Sequence, residues 1–317
     1  MGIDVNIGGV QKEIDKGYCN IGGIWKEIDS VYCNIGGVWK EGWKSELVLS
    51  YYGTATTLSI GRSRLAATSI GNYALFGGGE GGSGSTRGVD AYNTSLVRST
   101  PTVLSQARHS LAATSISNYA LFGGGYESSK VDAYNTSLVR STPSGLSQNT
   151  IYLAATSIGN YALFGGGRLA YNTNPRYKAV NAYNTSLVRS TAPDLSIDKY
   201  DLAATTIDGY ALFAGGYSGV RDKYVDAYNT SLVRSTASDL SISRSELAAT
   251  SIGNYALFAG GDSYDSIVDA YNTSLVRSTA SDLSIGRSRL AATSIGNYAL
   301  FGGGTYTSNT VDVYQVS

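Results

Sequence analysis

Few side chains in this 317-residue chain could perform covalent or metal chemistry: one histidine, His109, one methionine, and two cysteines, Cys19 and Cys33. So small a stock of soft ligands and thiols disfavours a transition-metal centre or a disulfide framework, and no cofactor is expected. Carboxylates are more plentiful, among them Glu80, Glu127, Asp198, Asp201, Asp222, Asp262 and Asp265. Glycoside cleavage needs two carboxyl groups roughly 5 to 10 Å apart, and the spacing pairs no two of these. They read as solvated loop charges, His109 reads as an exposed loop residue rather than a base, and no residue is assigned a catalytic role. Tyrosine is the residue used most unusually, with 25 copies against 6 Phe and 3 Trp.

The elements that must position these side chains come from a repeat. LAAT begins at Leu65, Leu111, Leu153, Leu202, Leu247 and Leu290, six copies spaced by 46, 42, 49, 45 and 43 residues. Each copy reads LAATSIGN-YALFGGG, a variable stretch, VDAYN-TSLVRST, then a connection into the next LAAT. Four short runs rich in Ala, Val, Leu, Tyr, Phe and Thr, punctuated by Gly, Asn and Ser, specify four strands. In the first copy strand a is Leu65 to Ile70, b is Tyr73 to Gly77, c is Val89 to Tyr92 and d is Leu96 to Thr100. Strands a and b are small or apolar at nearly every position, as for strands covered on both faces. Four-stranded antiparallel sheets stacked around an axis meet that requirement, so the fold class is all-β, a six-bladed β-propeller. LVRST occurs five times, and the sixth copy ends at VDVYQVS without it. Tyr51 to Arg64 aligns with Val276 to Arg289, which places Ser50 to Thr54 as the strand closing the last blade.

These residues resemble the kelch-repeat propeller family. The resemblance lies in Arg62, Arg108, Arg244 and Arg287 three residues before LAAT, in Gly78-Gly79 and its equivalents, and in the strand-c residues Tyr92, Tyr134, Tyr183, Tyr228, Tyr271 and Tyr314. It covers roughly residues 47 to 317. Two departures stand out: Leu-Val-Arg replaces the family's Trp, and the Arg position is Thr150 in the third copy and Lys199 in the fourth. Copper-oxidase propellers of this kind bring His, Tyr and Cys ligands together, whereas here both Cys lie outside the repeats. The Ser-x-Asp-x-Gly-x-Thr-Trp box of sialidase propellers is absent too. The Asp of VDAYN recurs in five copies, with Asn181 in the third, and reads as scaffold. Asn-Thr-Ser at Asn93 and its equivalents matches a glycosylation sequon but reads as an Asn side-chain turn.

The GG-to-VDAYN distance is 9, 5, 12, 8 and 6 residues, and subtracting it from the copy spacing leaves 37 every time. All length variation therefore lies in the b–c loop, while sequence variation in the d–a connection is concentrated in the four residues before LAAT. In a propeller these two loops share one face. Nine tyrosines fall neither on the scaffold nor before the first copy, and all nine sit in these loops: Tyr126, Tyr152, Tyr171, Tyr177, Tyr200, Tyr217, Tyr224, Tyr264 and Tyr306. Rigid amphipathic rings interleaved with Ser, Asn, Asp and Arg compose a recognition surface. The candidate ligand-binding residues are these nine with His109, Arg168 and Asp262.

Residues 1–46 repeat differently, with Asn6, Asn20 and Asn34 spaced by 14. Short strands with two-residue turns predict a six-stranded β-meander, a stem ahead of the propeller at 47–317. Alternation gives it one apolar face needing a partner, so self-association, as a trimer for example, or attachment to a virion is expected. Cys19 and Cys33 are expected two strands apart, too far for a disulfide. The 14-residue pattern ahead of a propeller resembles prophage-type tail or host-attachment proteins of Gram-positive gut bacteria, which implies a receptor-reading head on a mounting stem.

Lys+Arg and Asp+Glu balance at 24 each, leaving no basic surplus for nucleic acid. No window of 18 apolar residues suits membrane insertion, and MGIDVNIGG lacks the layout of a secretion signal. The expected product is made in the cytoplasm without a signal peptide, then virion-associated or released by lysis. Its expected function is non-enzymatic binding of a cell-surface glycan or protein. The alternatives are a structural virion or scaffold component, or a carbohydrate-active enzyme using loop carboxylates.

Overall fold

The computed structural model describes the chain apart from residues 1–2, 8–9, 15–16, 22–23, 29, 36–37, 45–54, 172–174, 264, 306–309 and 317, and up to residue 54 it describes the backbone alone. Every helix or strand among the described residues is a strand, and the chain divides into two compact units, Met1–Thr54 and Ala55–Ser317.

In the first unit each 14-residue repeat makes one antiparallel hairpin: Ile3–Ile7 with Val10–Ile14, Gly17–Ile21 with Ile24–Ile28, and Ser30–Ile35 with Val38–Lys44. The register recurs, with Asn6 opposite Gln11, Asn20 opposite Trp25 and Asn34 opposite Trp39. The expected continuous meander is replaced, among the described residues, by three separate two-stranded sheets. The expected separation of Cys19 and Cys33 concerns side chains outside the described set.

The second unit is a six-bladed β-propeller. Blade two shows the pattern: strand a Ala112–Ile116, b Tyr119–Gly123, c Val131–Asn135 and d Arg140–Ser141 pair antiparallel in that order. The a–b turn contains a residue of positive φ, the first in blade one (Gly71, φ 52) and blade two (Ser117, φ 48) and the second in blade four (Gly209, φ 80). The core sits between neighbouring blades. Leu75, Val89 and Ala91 of blade one pack with Leu111, Ala120 and Phe122 of blade two, and the same grouping recurs at each junction through to blade six. Phe122 lies so close over Gly77 that a Cβ there would sit 2.7 Å from its ring, and Phe164 covers Gly123 in the same way. Within each blade the Phe meets the strand-c Tyr edge to face, with ring centres 5.8 to 6.0 Å apart.

The Arg before strand a is buried against the strand-c Asp. Arg108 donates to Asp132 at 2.7 Å and to the Phe122 carbonyl at 3.1 Å, and the Arg62–Asp90, Arg244–Asp269 and Arg287–Asp312 pairs repeat the ion pair. The other oxygen of Asp132 accepts from Arg140 at 3.2 Å and from the Ser105 amide at 3.0 Å, which ties strand d and the d–a connection together. The recurrent Asp is therefore scaffold.

Strand d starts later than its sequence suggests, at Arg98 rather than Leu96 in blade one. Leu96 has φ 58, and Asn93 Oδ1 accepts from the amides of Ser95 (3.0 Å) and Val97 (2.9 Å), so these residues close a turn. The four equivalent Asn residues do the same, which accounts for the Asn-Thr-Ser motif.

The sixth sheet has three described strands, Ala291–Ile295, Tyr298–Gly302 and Val311–Gln315, and the expected closing strand at 50–54 lies outside the described residues. Val311 and Val313 are 52% and 43% exposed, where their blade-two equivalents Val131 and Ala133 are buried. Phe76 is correspondingly only half-buried, and among the described residues a Cβ at Gly302 would meet nothing but Val311 within 4 Å.

Candidate functional site

The variable side chains stand on an invariant backbone. In every blade the residue after the Gly-Gly pair donates its amide to the d–a segment: Glu80 to Ser63 (2.8 Å), Tyr126 to His109 (2.9 Å), Arg168 to Ile151 (3.0 Å), Tyr217 to Tyr200 (2.8 Å), Asp262 to Ser245 (2.8 Å) and Thr305 to Ser288 (3.0 Å). The b–c and d–a loops thus meet on one face, as the length pattern implied.

A second series of hydrogen bonds runs from blade to blade. Ser110 donates to Arg64, Tyr152 to Ser110, Asp201 to Tyr152, Glu246 to Asp201 and Arg289 to Glu246, at 2.9 to 3.2 Å. All six residues have φ between 53 and 57, a region costing a non-glycine residue on the order of 1 kcal/mol. The interblade hydrogen bonds hold them there. Each is the last residue before LAAT, so this ring lines the mouth of the propeller with a residue that changes from blade to blade: Arg64, Ser110, Tyr152, Asp201, Glu246 and Arg289.

Blades two to four supply an aromatic crescent. His109 stacks on Tyr126 with ring centres 4.9 Å apart, and Tyr126 meets Tyr171 at 5.7 Å. Tyr200 lies 6.4 Å from Tyr152 and 5.5 Å from Tyr217. The Arg168 guanidinium lies over both Tyr152 and Tyr200, 5.1 and 5.0 Å from their ring centres. A cavity of about 460 Å³ opens between Arg64, Glu80, His109, Tyr126, Tyr152 and Arg168. His109 is not the exposed loop residue expected from sequence: it is buried beneath Tyr126 with Nδ1 3.0 Å from Ser110 Oγ, and burial lowers its pKa. The Tyr171 hydroxyl is held protonated to higher pH by hydrogen bonds with Glu127 and Tyr126.

Charged residues continue the mouth from Asp201, next to Tyr200, round to Arg289. Burial, reinforced by Glu246, pushes Asp201 up to about 7. Glu246 accepts from Arg289 at 2.6 Å, Asp262 pairs with Arg221 and accepts from the Ser245 amide at 2.9 Å, and burial raises Asp265. Other carboxylates have local duties: Glu80 pairs with Arg64 (2.8 Å), Asp198 with Arg176 (3.0 Å), and buried Asp222 with Lys199 (3.1 Å).

Of the residues singled out in the sequence, the structure brings together His109, Tyr126, Tyr152, Arg168, Tyr171, Tyr200 and Tyr217, with Asp262 on the charged side. Tyr177 and Tyr224 stand apart from this ring network: Tyr177 joins Gly167 and Lys199 through its backbone, and Tyr224 is largely exposed. Tyr264 and Tyr306 lie outside the described residues. Sequence reasoning missed Arg64, Glu246 and Arg289. The available signal was their place as the last of the four variable residues before each LAAT.

No family model matches the chain, and no curated protein matches it in sequence. The fold is nonetheless shared. The solved structure of YjhT is similar to it with a TM-score of 0.65, over 83% of this chain and 97% of that one, at 12% identity. At that identity the likeness concerns the fold alone.

Proposed function

We propose that the protein is a non-enzymatic recognition head that binds a cell-surface glycan across the mouth of the propeller. The observation that carries this reading is the crescent His109–Tyr126–Tyr171 and Tyr152–Arg168–Tyr200–Tyr217, built from loops that vary in a chain whose scaffold hardly varies. Aromatic faces stack on the apolar faces of sugar rings, and the surrounding hydroxyls and charges meet their polar edges. The kelch-like repeats and the 14-residue stem repeats, similar to those of prophage-type tail proteins, support a head mounted on a larger assembly, with the first unit as the attachment. The test is binding of the full chain to bacterial surface glycans. Tyr126→Ala and Tyr200→Ala should each weaken it roughly tenfold or more with melting temperature nearly unchanged, and full binding by both variants would refute the site.

A second reading is favoured by one observation, the raised Asp201 carboxyl beside Glu246 in the ring. A carboxylic acid protonated near neutrality is the group that a glycan-cleaving enzyme uses to protonate a leaving oxygen. Glycan turnover by the native chain, abolished in Asp201→Asn, would establish this enzyme in place of the binding head.

A further inference from the structure

We infer that the cavity at the mouth takes the carboxylate of an acidic sugar, with Arg168 as its receptor; this rests on the glycan-binding reading above. Arg168 opens the b–c loop of blade three, where its backbone is bonded in both directions to Ile151, at 3.0 and 2.9 Å. That fixes the base of the side chain, and its guanidinium rests over the neighbouring rings of Tyr152 and Tyr200.

The cation lacks what its neighbours have. Arg64, Arg176, Arg221 and Arg289 each pair with a carboxylate, whereas no carboxylate among the described residues lies within ion-pair distance of Arg168. One Nη donates to the Leu169 carbonyl at 3.0 Å, and among the described residues Nε is buried without a hydrogen-bond partner, as it also is in the scaffold Arg62, Arg108, Arg244 and Arg287. A buried guanidinium N–H left unsatisfied is costly. An acceptor supplied by a ligand relieves that cost, and a carboxylate matches the fork with two parallel bonds where a sugar hydroxyl matches it with one.

The rest of the cavity sets the ligand's orientation. Arg64 is already neutralised by Glu80, and the stacked His109–Tyr126 pair offers an uncharged platform for a sugar face. The acidic end of the sugar therefore points to Arg168 of blade three and its hydroxyls to the Arg64–Glu80 pair of blade one.

The experiment compares glucuronate with glucose, which differ by carboxylate against hydroxymethyl, as ligands of the full chain by calorimetry and NMR titration. The native protein should bind glucuronate about tenfold or more tighter than glucose. Arg168→Gln should lose that preference, so that the two sugars bind it alike whatever its absolute affinity, and Arg168→Lys, which keeps the charge without the fork, should retain part of it. Equal affinity for the two sugars, or a preference unchanged in Arg168→Gln, overturns the inference and leaves the glycan reading standing. Failure of the native chain to bind either sugar also overturns it, and the glycan reading is then decided separately by the bacterial surface glycans.

Discussion

Thr150 and Asn181 occupy, in blade three, the two positions where blade two has the buried ion pair Arg108 and Asp132. The cation and the anion have been lost together: Thr150 Oγ1 donates to the Gly166 carbonyl at 3.3 Å, and Asn181 Oδ1 accepts from the Ser147 amide at 2.9 Å and from Arg189 at 3.1 Å. In blade four Lys199 replaces Arg and is joined by a second carboxylate, Asp222. A buried charge left alone is far costlier than a neutral pair, so blade three shows the neutral solution and blade two the ionic one.

The first prediction is a double-mutant cycle in blade two. Asp132→Asn alone strands the Arg108 guanidinium and should cost about 3 to 5 kcal/mol. Adding Arg108→Thr, which copies blade three, should recover most of that loss. Denaturant unfolding checks it, and additive losses would show that the two side chains are not coupled.

The second prediction concerns the blade junctions. Phe122→Ala opens a hole over Gly77 in a fully buried cluster and should cost about 3 to 5 kcal/mol. Phe76 is half-buried and does not seat on Gly302, so Phe76→Ala should cost clearly less. Equal losses for both would mean that the sixth blade closes on the first as tightly as the others close on one another.

The third prediction is a pH dependence. Asp201 is raised to about 7 in the folded chain, against about 3.9 when unfolded. Between those values the folded state holds the extra proton, so the contribution of this group to stability is full below about pH 4 and declines as pH rises toward 7. Asp201→Asn should flatten that part of the stability profile and raise stability above pH 7. A profile unchanged by the substitution would place the carboxyl in an ordinary solvated setting.

The fold was legible because each copy states its own strands and turns, and the six copies agree. The late start of strand d was not, because LVRST looks like any strand until the double hydrogen bond to Asn93 Oδ1 is seen to pull Leu96 into a turn. The stem misled for a related reason: period-2 alternation specifies strands and their faces but not whether one hairpin joins the next. At the site, comparison of copies located the right face and most of the aromatic crescent. It could not separate Tyr200, which faces Arg168, from Tyr224, which stands apart, since both are loop tyrosines of one copy. The charged ring was hidden because Arg64, Asp201, Glu246 and Arg289 read as ordinary surface charges until their positive φ and interblade hydrogen bonds place them together. His109 read as exposed for want of its partner, since nothing in the sequence pairs it with Tyr126.

The most direct test of the recognition surface is to measure binding of the full chain to a panel of bacterial cells and surface glycans beside a variant whose b–c and d–a loops are all replaced by those of the fifth copy. The backbone hydrogen bonds that carry these loops recur in every blade, so the uniform variant should fold and melt like the native protein. The account predicts that the native chain binds a subset of the panel and the uniform variant binds none of it. Equal binding by the two proteins would contradict it, because the differences among the loops would then play no part in recognition.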